Sequence, residues 1–108
     1  MNIYYEPEHF GLTMIGAFEW AEPCWQFDTL AVWKSRRGQY WIGQDSGCSC
    51  PMPFENITSV DQLDGPYNKG ELRKRLNSLV NEKVGEGDAY HYPKATLMKS
   101  VADLLARI

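Results

Sequence analysis

The chain has 108 residues and a mass of 12.4 kDa, enough for one domain and too little for two ordinary ones. It is 44% hydrophobic and 13% aromatic, which argues against intrinsic disorder, and its apolar runs are far shorter than a membrane-spanning helix needs. A net charge of −3 with a pI near 5.3 argues against a general nucleic-acid coat protein.

Met1–Phe10 carries Glu6, Glu8 and His9 and no apolar core, so no secretory leader is expected, and Ile3–Tyr5 is at most a short strand. Leu12–Trp20 alternates with the period of a strand, Leu12, Met14, Gly16, Phe18 and Trp20 on one side and Thr13, Ile15, Ala17 and Glu19 on the other. Ala21–Cys24 reads as a turn, and Trp25–Lys34, rich in aromatic and β-branched residues, as a second strand. Ser35–Gly38 is a hairpin loop, Gln39–Asp45 a third strand, and Ser46–Pro53 a break in regular structure. Thr58–Asp61 opens one short helical turn that Gly65-Pro66 ends. Asn68 with Glu71 caps a longer helix to Val84 whose apolar stripe is Leu72, Leu76, Leu79, Val80 and Val84. Pro93 at the first helical position starts a last helix with the stripe Leu97, Val101, Leu104, Leu105 and Ile108. The expected fold class is α+β: a three-stranded antiparallel meander, four-stranded if Ile3–Tyr5 joins, followed by two or three helices packed on one face. Residues 1–108 are expected to form one domain, with the sheet and a Cys/Pro loop in 1–57 and the helices in 58–108.

A turn at Arg36-Arg37 pairs Trp33 with Tyr40, Val32 with Trp41 and Leu30 with Gly43. One sheet face then collects Met14, Phe18, Trp20, Trp25, Phe27, Trp33, Tyr40 and Ile42, and the other Ile15, Ala17, Leu30, Val32 and Trp41. Two amphipathic helices cover one face. Either the N-terminal segment and the 46–65 loop fold over the second, or that face is a partner interface or homodimer seam with Trp41 as its first anchor and Leu30 and Val32 beside it. Asp45 and Phe54 belong to the loop that would join such a surface, pre-organised by Pro51 and Pro53.

The hairpin brings Cys24 toward the Cys48-Ser49-Cys50 unit, so that the three thiols come within about 10 Å of one another. Reduced thiols in a tight loop, a zinc site completed by His9, His91 or Asp45, and a redox pair are the three readings, and C-x-C spacing does not match the common zinc knuckles. Cys48 or Cys50 with His91 and Asp45 has the residue types of a nucleophilic site, but nothing in the spacing brings them together, so no catalytic residue is assigned. No phosphate-cradling glycine loop is present.

Charge divides along the chain. Residues 1–65 hold three basic and nine acidic side chains, residues 66–108 eight basic and five acidic. Lys69, Arg73 and Lys74 give the long helix a basic side, and Arg36-Arg37 a basic hairpin tip. A phosphate contact requires these groups to line one stripe, and a solvated helix face accounts for them equally, so nucleic acid is not the expected partner.

The string Asp45-Ser46-Gly47-Cys48-Ser49-Cys50-Pro51-Met52-Pro53-Phe54-Glu55 resembles a marker of small uncharacterised proteins encoded by actinobacteriophages, mycobacteriophages among them. Glu22-Pro23-Cys24, Gln26-Phe27-Asp28, Tyr4-Tyr5-Glu6-Pro7 and Phe10-Gly11-Leu12-Thr13 resemble that family too, so the similarity spans roughly residues 3–64. Relatives often lack a cysteine at the position of Cys24. The resemblance brings no activity with it. It implies expression in the cytoplasm of a bacterial host and a phage accessory protein that binds a host or phage protein without catalysis. The alternative is a small metal-binding or thiol-dependent domain centred on Cys48 and Cys50.

Overall fold

The computed structural model describes residues 2–22, 26–48, 53–85 and 91–108, excepting the side chains of Gln26 and Cys48. Four strands, β1 (Leu12–Glu19), β2 (Gln26–Ser35), β3 (Tyr40–Cys48) and β4 (Asp64–Tyr67), form one antiparallel meander in the order β1-β2-β3-β4. Two helices follow, α1 (Lys69–Gly85) and α2 (Lys94–Leu105), and single 3₁₀ turns occupy Pro7–Phe10 and Val60–Gln62. The α+β class and the helices on one face are as expected. The fourth strand is not: Ile3–Tyr5 forms a turn, and Asp64–Tyr67, containing the cis Gly65-Pro66 bond, pairs with β3 instead.

The register differs from the expected one by a single residue. Ser35 N donates to Gln39 O (2.8 Å) and Gly38 N to Ser35 O (3.0 Å), so the loop is three residues long, with Gly38 at φ 80°. A loop of that length with a left-handed third residue is a standard hairpin closure. It pairs Trp33 with Trp41, Val32 with Ile42 and Lys34 with Tyr40. A one-residue slip moves each β3 side chain to the other face, because side chains alternate with a period of two. A bulge between Met14 and Gly16 does the same to β1. Phe18, Trp20, Leu30, Val32, Tyr40 and Ile42 therefore pack under the helices, while Met14, Ala31, Trp33 and Trp41 lie on the second face.

Helix α1 begins with a reciprocal cap: Glu71 N donates to Asn68 Oδ1 (2.8 Å) and Asn68 N to Glu71 Oε1 (3.0 Å). Its buried stripe is Leu72, Leu76, Leu79 and Val80. Pro93 is the N-cap of α2 rather than its first helical residue, and Leu97, Val101 and Leu104 are buried. Lys83, near the end of α1, reaches Asp28 at the start of β2 (3.1 Å), so α1 runs back along the sheet away from the β2–β3 hairpin tip. Tyr40, beneath the helices, is 1% exposed, and its hydroxyl finds no protein partner among the described residues. A buried, unpaired hydroxyl carries a desolvation cost. Tyr40→Phe is expected to leave stability unchanged or raise it by up to about 1 kcal/mol, checked by urea unfolding.

Candidate functional site

The second sheet face is closed by the chain's own segments. Trp33 Nε1 donates to the carbonyl of Ile3 (3.1 Å) and Asn2 Nδ2 to that of Pro53 (2.8 Å), which ties the N-terminal segment to both the sheet and the 53–57 turn. Phe54 meets the Trp33 ring edge-on (centroids 5.4 Å apart) and stacks on Tyr4 (5.6 Å), and is 1% exposed. Ile3, Leu12 and Leu63 complete this second core.

That closure corrects most of the expected partner surface. Leu30 and Val32 are fully buried beneath the helices, and Phe54 is a plug of the second core. None of the three offers a surface to a partner. Asp45 is half-buried and already committed: Oδ2 accepts from Phe54 N (2.7 Å) and Oδ1 from Ser46 N (3.0 Å). Trp41 is half-buried against the second core and against Gly65, where an added Cβ would lie 2.9 Å from its ring. The apolar excess of the meander is real. It is absorbed internally, because the one-residue register shift gathers the large rings where Ile3 and Phe54 can reach them. Of the expected thiol cluster, Cys24, Cys50 and the Cys48 side chain lie outside the described residues. Among the described residues, no three His, Cys, Asp or Glu side chains are grouped to hold a metal ion. His91 Nδ1 lies 2.7 Å from the carbonyl of Tyr92, a local turn contact.

The basic groups behave differently. Tyr40 stands opposite Lys34 on one side and Tyr67 on the other, and α1 starts two residues after Tyr67. Neighbouring strands are about 4.8 Å apart, so this row spans about 10 Å. It sets the tip of the β2–β3 hairpin beside the first turns of α1. Lys34, Arg36, Arg37, Lys69, Arg73 and Lys74 thus share one end of the molecule, all exposed. None has a carboxylate within 4.0 Å among the described residues, where the ion pairs are Arg75 with Asp64 and Glu82, and Lys83 with Asp28. The one acid of the first helical turn, Glu71, is engaged in the cap. Carboxylates gather at the other end of the sheet, where Glu19, Asp28 and Asp45 stand on successive strands. Glu19 receives the Thr29 hydroxyl and Asp28 N (3.1 Å).

Between β4 and α1, Asp64 holds both Arg75 Nε (2.8 Å) and the Tyr67 hydroxyl. The hydrogen bond to Asp64 is the main cause that raises the Tyr67 phenol above its ordinary pKa, and the same carboxylate raises that of the Arg75 guanidinium. Both partners of this pair are over a third exposed, so it fastens β4 to α1 without contributing much stability. Tyr4 also titrates high, first through burial and then through the charge of Glu19.

A family model described as "Domain of unknown function (DUF7574)" matches residues 1–108. The chain belongs to that family. No curated protein and no solved structure matches it. In this DUF7574 member the charged end was legible only in part. Arg36-Arg37 and Lys69, Arg73 and Lys74 stand out in the sequence, but their adjacency depends on β4, which the Gly65-Pro66 pair hid, and Lys34 joins them only through the three-residue loop.

A second exposed feature had no signal in the sequence. Where α2 crosses β1, an open recess of about 140 Å³ is lined by Ala17, Phe18, Ser100, Asp103, Leu104 and Arg107. Among the described residues no helix is long and apolar enough to cross a membrane.

Proposed function

We propose that this protein is a phage-encoded accessory protein that acts in the cytoplasm of the bacterial host, without catalysis, by binding an acidic surface of a host or phage protein through its cationic end. The observation that carries this reading is the segregation of six exposed cations from two separate elements, none with a carboxylate within 4.0 Å among the described residues, at one end of a chain whose net charge is −3. Unpaired surface charge of one sign raises the encounter rate with an oppositely charged partner and sets orientation more than it adds contact area. The aromatic face is spent on the second core. Protein is favoured over nucleic acid because single-stranded binders present aromatic stacking platforms. Among the described residues the one exposed large hydrophobic side chain is Tyr5, in the turn before β1, outside the cationic cluster.

The test is affinity capture from nuclease-treated host lysate, with the wild type beside an Arg36→Glu/Arg37→Glu/Lys69→Glu/Arg73→Glu variant of matched circular dichroism. An acidic protein is expected on the wild type and not on the variant, with binding of the purified pair weakened on the order of 10- to 1000-fold by the reversal and falling steeply with salt. Retention of the same proteins by both chains overturns the assignment of the surface. Capture of nucleic acid alone, from lysate without nuclease, overturns the assignment of the partner.

A further inference from the structure

We infer that the free edge of β1 is a seam between two copies of this chain, closed by reciprocal Asp103–Arg107 ion pairs between the C-terminal ends of their α2 helices. Strand β1 pairs with β2 on one side, and no other described strand pairs with it. Trp20 N donates to Asp28 O, so the alternation of an antiparallel ladder turns the backbone groups of Phe18 and Gly16 toward β2 and those of Ala17 and Glu19 outward. Exposed edges are usually blunted by charged side chains, proline, a bulge or a covering segment; here the bulge and Arg107 blunt only the first half of β1. The sequence Leu12–Glu19 has no lysine or proline, and its one charge is Glu19 at the end. Along the edge, Arg107 Nη1 reaches the Ile15 carbonyl at 3.4 Å, a long contact at the position of the bulge. From Gly16 onward the strand is regular.

The chemistry of α2 at this edge specifies the occupant. Asp103, in the last turn of α2, and Arg107, in the turn that follows it, are four residues apart, both are exposed, and neither has an ion-pair partner within 4.0 Å among the described residues. Two opposite charges one turn apart are complementary to their own reverse, which is the condition for an isologous two-fold contact. The heights agree as well. A Cβ added at Gly16 would lie 2.8 Å from Arg107 Nη1 and 3.5 Å from Leu104 Cγ, so the Asp103–Arg107 turn stands over the middle of β1. A two-fold axis perpendicular to the sheet, just outside the edge at the middle of β1, runs the two strands antiparallel. It also carries Asp103 of each copy opposite Arg107 of the other. The result is a continuous eight-stranded sheet with its helices on one side. A stable seam needs about 1,200–2,000 Å² of buried surface, more than a strand edge supplies, so the α2 contact is a necessary part of it. The cationic ends stay exposed, at opposite extremes of the sheet. Such a dimer is bivalent toward the partner proposed above, yet the seam does not depend on that partner.

Sedimentation velocity on the full chain tests the seam. The wild type is expected to sediment as a species of twice the 12.4 kDa chain mass at micromolar concentration. Asp103→Arg and Arg107→Asp, tested singly, should each weaken dimerisation by about 10- to 100-fold, because each change replaces two attractions with two repulsions across the axis. Mixing the two variants should restore a dimer, which separates lost complementarity from lost folding. A third variant, Ala17→Pro, removes one outward backbone donor and should also favour the monomer. A wild type that stays monomeric into the sub-millimolar range overturns the inference. So does a dimer unaffected by either charge reversal, or a mixture that fails to associate while each variant keeps the native circular dichroism.

Discussion

Phe54→Ala is expected to destabilise the protein by about 3–5 kcal/mol, the cost of deleting a buried aromatic ring and leaving its cavity. At roughly 4–8 °C per kcal/mol for a domain of this size, the thermal midpoint should fall by well over ten degrees. The ring is the keystone of the second core: it touches Trp33 edge-on, stacks under Tyr4, and is held by the hydrogen bond from its own backbone to Asp45. Its φ of 61° lies in the left-handed region that a non-glycine residue occupies at a cost. The chain accepts that conformation because the ring and the Asp45 contact reward it. Two further variants separate the causes. Phe54→Gly removes the ring but relieves the backbone, so it should lose somewhat less than Phe54→Ala. Asp45→Ala keeps the ring and removes the acceptor, and should cost about 1–3 kcal/mol. Urea unfolding with tryptophan fluorescence reads all three. A Phe54→Ala protein within about 1 kcal/mol of the wild type would mean that the second face needs no plug, and would reopen it as an interaction surface.

How far the sequence reveals this architecture depends on what each element rests on. The helices were legible because their signals are local: Asn68 with Glu71, the Leu72–Leu76–Leu79–Val80 stripe, and Leu97, Val101 and Leu104 all recur in the structure. The three long strands were legible for the same reason. The faces of the sheet were not, because they turn on the parity of one loop. Gly38 takes the left-handed position of a three-residue closure, and that single residue moves Tyr40 and Ile42 under the helices and Trp41 to the second face. The bulge after Met14 is equally silent in the sequence, since Leu12–Trp20 alternates without a break. β4 was hidden because Gly65-Pro66 reads as a stop signal, whereas on an edge strand a proline costs little. The candidate surfaces inherit these limits. The cationic cluster forms only when β4 delivers α1 beside the hairpin, and the Asp103–Arg107 turn acquires meaning only once α2 is laid over β1.

Gly43→Ala carries the second large expected effect and probes the same core from beneath. A Cβ at this position would sit 2.7 Å from Trp33 Cζ3 and 3.0 Å from Phe54 Cε1, closer than side-chain carbons pack. Trp33 cannot yield freely, because its Nε1 is bound to the Ile3 carbonyl and its ring lies against Phe54. Overpacking of this kind costs about 1–3 kcal/mol, and here it must push either the indole off its acceptor or the plug out of its socket. Gly47, four residues along the same strand, is the control. Its added Cβ would meet Phe27 at 3.4 Å, ordinary contact, and alanine is favoured over glycine in a strand, so Gly47→Ala should be neutral or slightly stabilising. A double-mutant cycle sharpens the reading. If the Gly43 clash is with the indole, combining Gly43→Ala with Trp33→Phe should cost less than the two changes added separately, by about 1 kcal/mol or more. Strict additivity, or a Gly43→Ala protein as stable as Gly47→Ala, would show that Trp33 is free to move, and that the second face is not closed as tightly as the Trp33–Phe54 contact implies.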